Sequence, residues 1–162
     1  MIYKFLKYYF FSFGKLMKFK NNSKNYLSNL YQISFKDTIY SNLEFKSMEH
    51  YFYSMKYFIP KSNNFHTHVK NIRKIKDSND VTTYSKAYPY MCSNFCNIKD
   101  KVMKDGLILK FYQNPELRKK LVNTKGSILV EMEDSYWGIG KDKNGQNKLG
   151  LLLEQVRDEL KF

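Results

Sequence analysis

The sequence predicts one α+β domain, rich in helix around a small sheet. Three observations carry this expectation. At 162 residues the chain has the length of a single domain, and a domain of that size buries roughly 70% of the surface its unfolded chain exposes, enough for a core with a pocket in it. Hydrophobic residues make up 43% and aromatic residues 17% of the chain, too apolar a composition for disorder. Apolar residues recur at helical spacing in several segments, short β-favouring runs lie between them, and no repeat or Gly/Ser/Pro linker divides the chain.

The domain is drawn over residues 20–162, after a basic and aromatic N-terminal extension over residues 1–19. That extension, MIYKFLKYYFFSFGKLMKF, has its apolar run broken by Lys4 and Lys7 and is followed by no small-residue cleavage site. Neither an integral membrane span nor a secretory signal is expected from it. The alternatives are an arm that binds a membrane surface or a partner, or a start at Met17 that leaves the stretch dispensable.

Tyr26 to Phe45 mixes β-favouring residues and breaks at Lys36-Asp37, which reads as two short strands or as one strand and an irregular loop. From Ser47 the pattern turns helical. Met48, Tyr51, Phe52, Met55 and Ile59 form a stripe, Ser47 serves as N-cap, and Pro60 ends the run. Phe65 to Asp80 is polar and basic and reads as surface helix or loop. A longer helix is expected over Asn97 to Tyr112, with Ile98, Val102 and Leu109 on one face and Met103 and Leu107 on another, hence buried on more than one side. Asn114-Pro115-Glu116 has the order of an N-cap, a first-turn proline and a first-turn acid, opening a short helix to Val122. Ser127 to Met132 reads as a strand. Leu149, Leu152, Leu153, Val156 and Leu160 place a last helix with one face on the core.

The formal net charge of +13 suits a nucleic-acid-binding module, since clustered Lys and Arg release counterions from phosphates. The lysines are spread along the chain rather than gathered, however, and the overuse of Lys, Asn, Tyr, Phe and Ile is what an AT-rich gene produces. No obligate nucleic-acid partner is expected. A basic surface equally favours a small anionic substrate. Cys92 and Cys96 have no second pair to complete a zinc site and read as buried thiols of a reducing, cytoplasmic protein. His66 and His68 read as surface residues rather than metal ligands.

Two clusters carry chemistry. Four of the seven glycines lie between Gly138 and Gly150, beside the only tryptophan, in a loop between a strand and a helix. Glycine permits close backbone approach, so this is a natural ligand loop, although it lacks the Lys-Ser/Thr ending of a phosphate loop. The alternative is a tight connection anchored by Trp137. The second cluster pairs Ser28-Asn29-Leu30-Tyr31 with Met48 to Lys56, where Glu49 and Lys56 project along one edge of the apolar stripe at about 100° per residue. On its own, Glu49 there is equally a charge favourable to the helix dipole.

Together these pieces resemble the NADAR family of YbiA-type N-glycosidases. The resemblance runs from Tyr26 to Leu160. It is carried by Ser28-Asn29-Leu30-Tyr31, by Glu49-His50-Tyr51 with Lys56, by Lys86-Ala87, and by the Lys99 to Met103 run leading into Lys110-Phe111 and Gln113-Asn114. Leu129-Val130-Glu131 with Asp134, Trp137-Gly-Ile-Gly140, Gly145, Asn147, Leu149-Gly150 and Arg157 complete it. This chain departs from the family in having Phe95 for a usual tryptophan, Lys125 splitting a Thr-Gly pair, no arginine after Lys86-Ala87, and Glu154 for a frequent methionine. The departures bear on substrate preference and leave Glu49, Asp134 and Trp137 in place.

The resemblance implies hydrolysis of the C1′–N bond in the phosphoribosylamino-pyrimidine intermediates of riboflavin synthesis, with ribose 5-phosphate released. Removal of ADP-ribose from guanine is the alternative within the family. Outside it, the rivals are a nucleic-acid-binding module and a fold that has lost its activity. Such a reaction must stabilise an oxocarbenium-like sugar, which carboxylates do by charge and proton transfer. The resemblance makes Glu49 and Asp134 the candidate catalytic carboxylates. Trp137 with Gly138 is then the platform for the base, and Asn29, Tyr31 and Asn147 are candidates for its polar edges and the sugar. Lys56, Lys99 and Arg157 are candidates for the phosphate, Lys56 also as an amine that attacks the opened sugar. The scheme calls for no metal and no cofactor. The pocket is expected between the Glu49 helix and the Trp137 loop.

Overall fold

A computed structural model describes residues 15–59, 64–89 and 93–161. Most of the N-terminal extension, the helix stop expected at Pro60, and Cys92 lie outside these residues. Within them the architecture is α+β, with six helices and two small two-stranded sheets. Strand β1 (Leu16–Phe19) runs parallel to β4 (Ile128–Glu131), with Leu16 opposite Ile128 and Phe19 opposite Glu131. Strands β2 (Phe35–Lys36) and β3 (Glu44–Phe45) pair antiparallel, Phe35 opposite Phe45. The helices are α1 (Met48–Phe58), α2 (Phe65–Lys74), α3 (Ser78–Ala87), α4 (Ser93–Gln113), α5 (Pro115–Val122) and α6 (Lys148–Glu159).

The boundary drawn before Lys20 falls inside the packed domain. Leu16–Phe19 complete the parallel pair, and Phe19 is buried in the core. A four-residue strand that follows an aromatic, basic run has no alternation of its own to mark it. The Tyr26 to Phe45 segment contains two short strands rather than one. The polar stretch from Phe65 contains α2 and, after a short break, opens α3.

Helix α1 begins where its cap dictates. Ser47 is extended and its Oγ accepts a hydrogen bond from the His50 N–H at 3.3 Å. Met48, Tyr51, Phe52 and Met55 are buried as their spacing requires, and so are Glu49, His50, Ser54 and Tyr57. The helix is therefore enclosed on several sides, by α2, α3 and α4. Its approach to α4 depends on Gly106, where a Cβ would overlap the ring of Tyr51 and the end of Met48. Helix α4 buries Val102, Met103, Leu107, Leu109 and Phe111, so both of its expected faces are inside. Cys96 on this helix is exposed, not buried as expected, while the adjacent Phe95 takes the buried position against Phe52. His66 is exposed, but His68 is half-buried, stacked on Tyr57 at 4.5 Å and hydrogen-bonded through Nδ1 to Tyr84 at 3.0 Å.

Lys110 is fully buried in α4 and donates to the carbonyls of Tyr26 at 2.7 Å and Ser28 at 3.0 Å. Burial pushes its pKa down to about 7. Helix α5 starts at Pro115 as expected, yet Asn114 makes no side-chain cap. Its Nδ2 instead donates to Lys110 O at 2.8 Å and Ser34 O at 3.2 Å, tying the end of α4 to the β2 segment.

Adding one methyl group at Gly106 tests the α1–α4 contact. Gly106→Ala is expected to lower stability by about 1–3 kcal/mol through overpacking against Tyr51, read as a lower urea midpoint at an unchanged m value. An unchanged midpoint would contradict the close packing.

Candidate active site

A cavity of about 160 Å³ opens between α1, α3, α4 and the loop that follows β4. Its carboxylates are Glu49, Glu131 and Asp134; its amides are Asn21 and Asn29; its aromatic walls are Phe52, Tyr53 and Trp137; Thr82, Met103 and Leu149 complete the lining.

Glu49 lies in the first turn of α1 and is only 8% exposed. Its N–H donates to Asn29 O at 3.1 Å, and its Oε1 accepts from Thr82 Oγ1 at 2.7 Å. Burial pushes its pKa from the ordinary 4.5 up to about 7, the nearby charge of Asp134 adds to the rise, and the Thr82 hydroxyl opposes it. Burial also pushes the neighbouring Tyr53 hydroxyl up to about 12, with the Glu49 charge adding to it.

Thr82 comes from α3, and a buried polar chain holds α3 against α1. Ser78 Oγ donates to Ser47 Oγ at 3.1 Å, Ser47 Oγ meets His50 Nδ1 at 2.8 Å, and His50 Nε2 meets Ile75 O at 3.0 Å. A neutral imidazole with its proton on Nε2 satisfies all three contacts. Burial lowers the His50 pKa and so favours that neutral form.

Asn29 is held from both sides. Its N–H and the Ser28 hydroxyl both donate to Asn21 Oδ1, at 3.2 and 2.7 Å, while Lys110 grips the Ser28 carbonyl. The Asn29 side chain is 4% exposed, and its Oδ1 is buried with no partner among the described residues.

The glycine-rich loop is organised by Glu131, the last residue of β4. Its two carboxylate oxygens accept the N–H groups of Glu133 and Asp134 at 2.9 and 3.0 Å. Gly138 packs directly on this carboxylate, where any Cβ would overlap it. Asp134 Oδ1 in turn accepts from Tyr136 N at 2.7 Å and Trp137 N at 2.6 Å, which fixes the turn that presents Trp137. The indole stands edge-on to Phe52 at 5.5 Å.

The fold thus brings Glu49, Asp134, Asn29 and Trp137 to one cavity, with Gly138 directly behind it. Asn147 is not free for a ligand. It is 4% exposed, its Oδ1 accepts from Glu131 N at 3.0 Å and its Nδ2 donates to Leu129 O at 2.8 Å, so it clamps β4. Arg157 lies away from the cavity, donating to Thr124 O at 3.1 Å and Ser127 O at 2.8 Å at the turn between α5 and β4. Tyr31 packs against the core with Lys110 over its ring at 5.7 Å and does not line the cavity. Lys56 and Lys99 lie outside the lining as well. Lys56 donates to Ser85 Oγ at 3.2 Å, and the Lys99 ammonium sits 3.4 Å over the Tyr136 ring. Sequence reasoning missed Thr82, Asn21, Glu131, Phe52, Tyr53, Met103 and Leu149 as lining residues. Glu131 alone had a signal, an acid closing a strand at the start of a glycine-rich loop.

The model of the NADAR domain matches residues 15–161. This chain belongs to the NADAR domain family. Among NADAR relatives, N-glycosidase YbiA of Escherichia coli (strain K12) is 42% identical over 69 residues, covering 41% of this chain and 43% of that protein. The matched stretch therefore spans less than half the length of that relative. Riboflavin biosynthesis protein PYRR, chloroplastic, of Zea mays is 31% identical over 121 residues, covering 70% of this chain and 19% of that one. The NMR structure of Escherichia coli YbiA superposes with a TM-score of 0.75 at 27% identity, covering 91% of this chain and 85% of the other. No helix among the described residues is long and apolar enough to cross a membrane.

The raised pKa of Glu49 makes a prediction about this NADAR domain's stability. Between pH 4.5 and about 7 the folded state holds a proton that the unfolded chain has released. The stabilisation is thus full below pH 4.5 and lost as pH rises through 7. Glu49→Gln keeps an acceptor for Thr82 and carries no charge to bury. It should be more stable than the unaltered chain by roughly 3 kcal/mol at pH 8, with little difference at pH 4.5. Melting temperatures across that range check it, and a gap that does not change with pH contradicts it.

Proposed function

We propose that this chain is an N-glycosidase that hydrolyses the C1′–N bond of phosphoribosylamino-pyrimidine intermediates of riboflavin synthesis. The observation that carries the reading is the buried Glu49 carboxyl, held near a pKa of 7 in a cavity shared with Asp134 and Trp137. The names of the relatives, an N-glycosidase and a riboflavin biosynthesis protein, support both the reaction class and the substrate class.

A carboxyl that titrates near neutrality suits both directions of proton transfer at physiological pH. In the proposed reaction, protonated Glu49 gives its proton to the departing nitrogen as the C1′–N bond breaks and its electron pair moves to nitrogen. Positive charge then develops at C1′ and the ring oxygen. Asp134 stabilises it as a carboxylate, with one oxygen held by the Tyr136 and Trp137 amides and the other without a partner among the described residues. Water adds to C1′, and the proton it loses returns to Glu49. The products are ribose 5-phosphate and the free aminopyrimidine, and the site is reset. Trp137 stacks on the base. Substrates bearing phosphate do not cross membranes, so the proposed place of action is the cytoplasm where they are made.

Incubation with 5-amino-6-(5-phosphoribosylamino)uracil, with ADP-ribosylated guanosine in parallel, tests the proposal. Ribose 5-phosphate should appear from the first substrate, and Glu49→Gln should cut kcat by about 10²–10⁴-fold. Equal turnover by the two proteins contradicts the role of Glu49. Cleavage of ADP-ribosylated guanosine alone moves the substrate to the other branch of the family.

A further inference from the structure

The described residues that line the cavity include three carboxylates, Glu49, Glu131 and Asp134, and no Lys, Arg or His. A phosphate group would meet like charge there at short range in a poorly solvated space. The buried amide of Asn29, with no hydrogen bond to the described residues on Oδ1, is instead matched to hydroxyl, amino or ring N–H groups. The interior therefore suits a sugar and an amino-bearing base, and it rejects the anionic end of the same molecule.

Two lysines lie one helical turn from residues that line this cavity. Lys99 lies one turn before the lining residue Met103 on α4, and its Nζ sits over Tyr136, whose ring is 5.0 Å from Trp137. Lys56 lies one turn after the lining residue Phe52 on α1, and its Nζ is bonded to Ser85, one turn after the lining residue Thr82. Phe52 joins the two sides, with ring contacts to Phe95 on α4 at 5.4 Å and to Trp137 at 5.5 Å. Among the described residues neither lysine is paired with a carboxylate, as each is held by a hydroxyl or an aromatic face. Neither side chain is committed to a main-chain carbonyl among the described residues, whereas Arg157 is committed to backbone carbonyls elsewhere.

We infer that the substrate enters base and ribose first, and that its phosphate stays outside the cavity, held at the rim between Lys56 and Lys99. This rests on the reading of the protein as a ribosyl N-glycosidase. It makes the rim lysines specificity-determining residues and leaves bond cleavage to the interior. An anionic tail longer than one phosphate is accommodated on the same rim, because it never enters the cavity.

The test crosses phosphate with Lys99. The substrate and its dephosphorylated ribosylamine are compared on the unaltered protein and on Lys99→Met. Loss of phosphate should raise KM roughly tenfold while kcat stays within about threefold. Lys99→Met should raise KM roughly tenfold for the phosphorylated substrate and less than about twofold for the other. A collapse of kcat on dephosphorylation, or an equal effect of Lys99→Met on both substrates, overturns the rim assignment. Absence of cleavage of both substrates contradicts the proposed reaction instead, and binding then decides the rim. The chain has one tryptophan, so the indole N–H signal of Trp137 reports occupancy. Ribose 5-phosphate should move it with an affinity that Lys99→Met weakens roughly tenfold, ribose with an affinity the variant barely alters. An equal effect on both sugars overturns the inference by this route too.

Discussion

Glu49 carries a carboxyl group into the interior with a single side-chain hydrogen bond among the described residues, from Thr82, to compensate it. Burial of an acid with so little compensation favours its protonated form, and the charge of Asp134 pushes in the same direction. The surrounding fold is arranged so that this unfavourable position is maintained. The helix that carries Glu49 is capped by Ser47, its first-turn amide is held by Asn29, and its flank is bolted to α3 through the chain of Ser78, Ser47, His50 and Ile75. Were any of these to loosen, water would reach the carboxyl and its pKa would fall back towards that of an exposed acid.

The opposite wall follows a different logic. Glu131 is also buried, but both of its oxygens accept backbone amides and Gly138 lies against them, so it serves as a template for the turn that holds Asp134 and Trp137. Asn147 fixes the strand behind it, and Lys110 fixes the Asn29 segment across the cavity. Three buried polar residues thus work through main-chain groups. The cavity groups not used in this way are the Glu49 carboxyl, one Asp134 oxygen, the Asn29 Oδ1 and the Trp137 ring, the ones the proposed reaction calls on.

How far the sequence disclosed this depends on which force places each residue. Hydrophobic burial leaves periodic traces, so α1, α4 and α6 could be read from their apolar stripes, and Ser47 and Pro115 marked helix starts through chemistry that acts within one turn. Strand β1 left no such trace because it is four residues long and pairs with a strand more than a hundred positions away. Helix α3 was hidden because it packs through Ser78, Val81 and Ser85, a face too small and polar to register as apolar. The site divides similarly. Glu49, Asp134, Asn29 and Trp137 were legible through the family pattern, whereas Thr82 matters only because tertiary packing sets its hydroxyl on Glu49. Asn147 and Arg157 looked like ligand residues because a polar side chain bonded to the main chain and one turned to a pocket are identical in sequence.

The central claim is that the fold holds the Glu49 carboxyl partly protonated at neutral pH. Its ionisation can be observed directly by following the Glu49 side-chain carboxyl ¹³C shift of the labelled protein as pH is varied from 4 to 9, in the unaltered chain and in Asp134→Asn. The account predicts a midpoint near 7 in the unaltered chain and a lower one once the Asp134 charge is removed. A midpoint near 4.5, the ordinary value, would contradict it, and so would a midpoint that does not respond to Asp134.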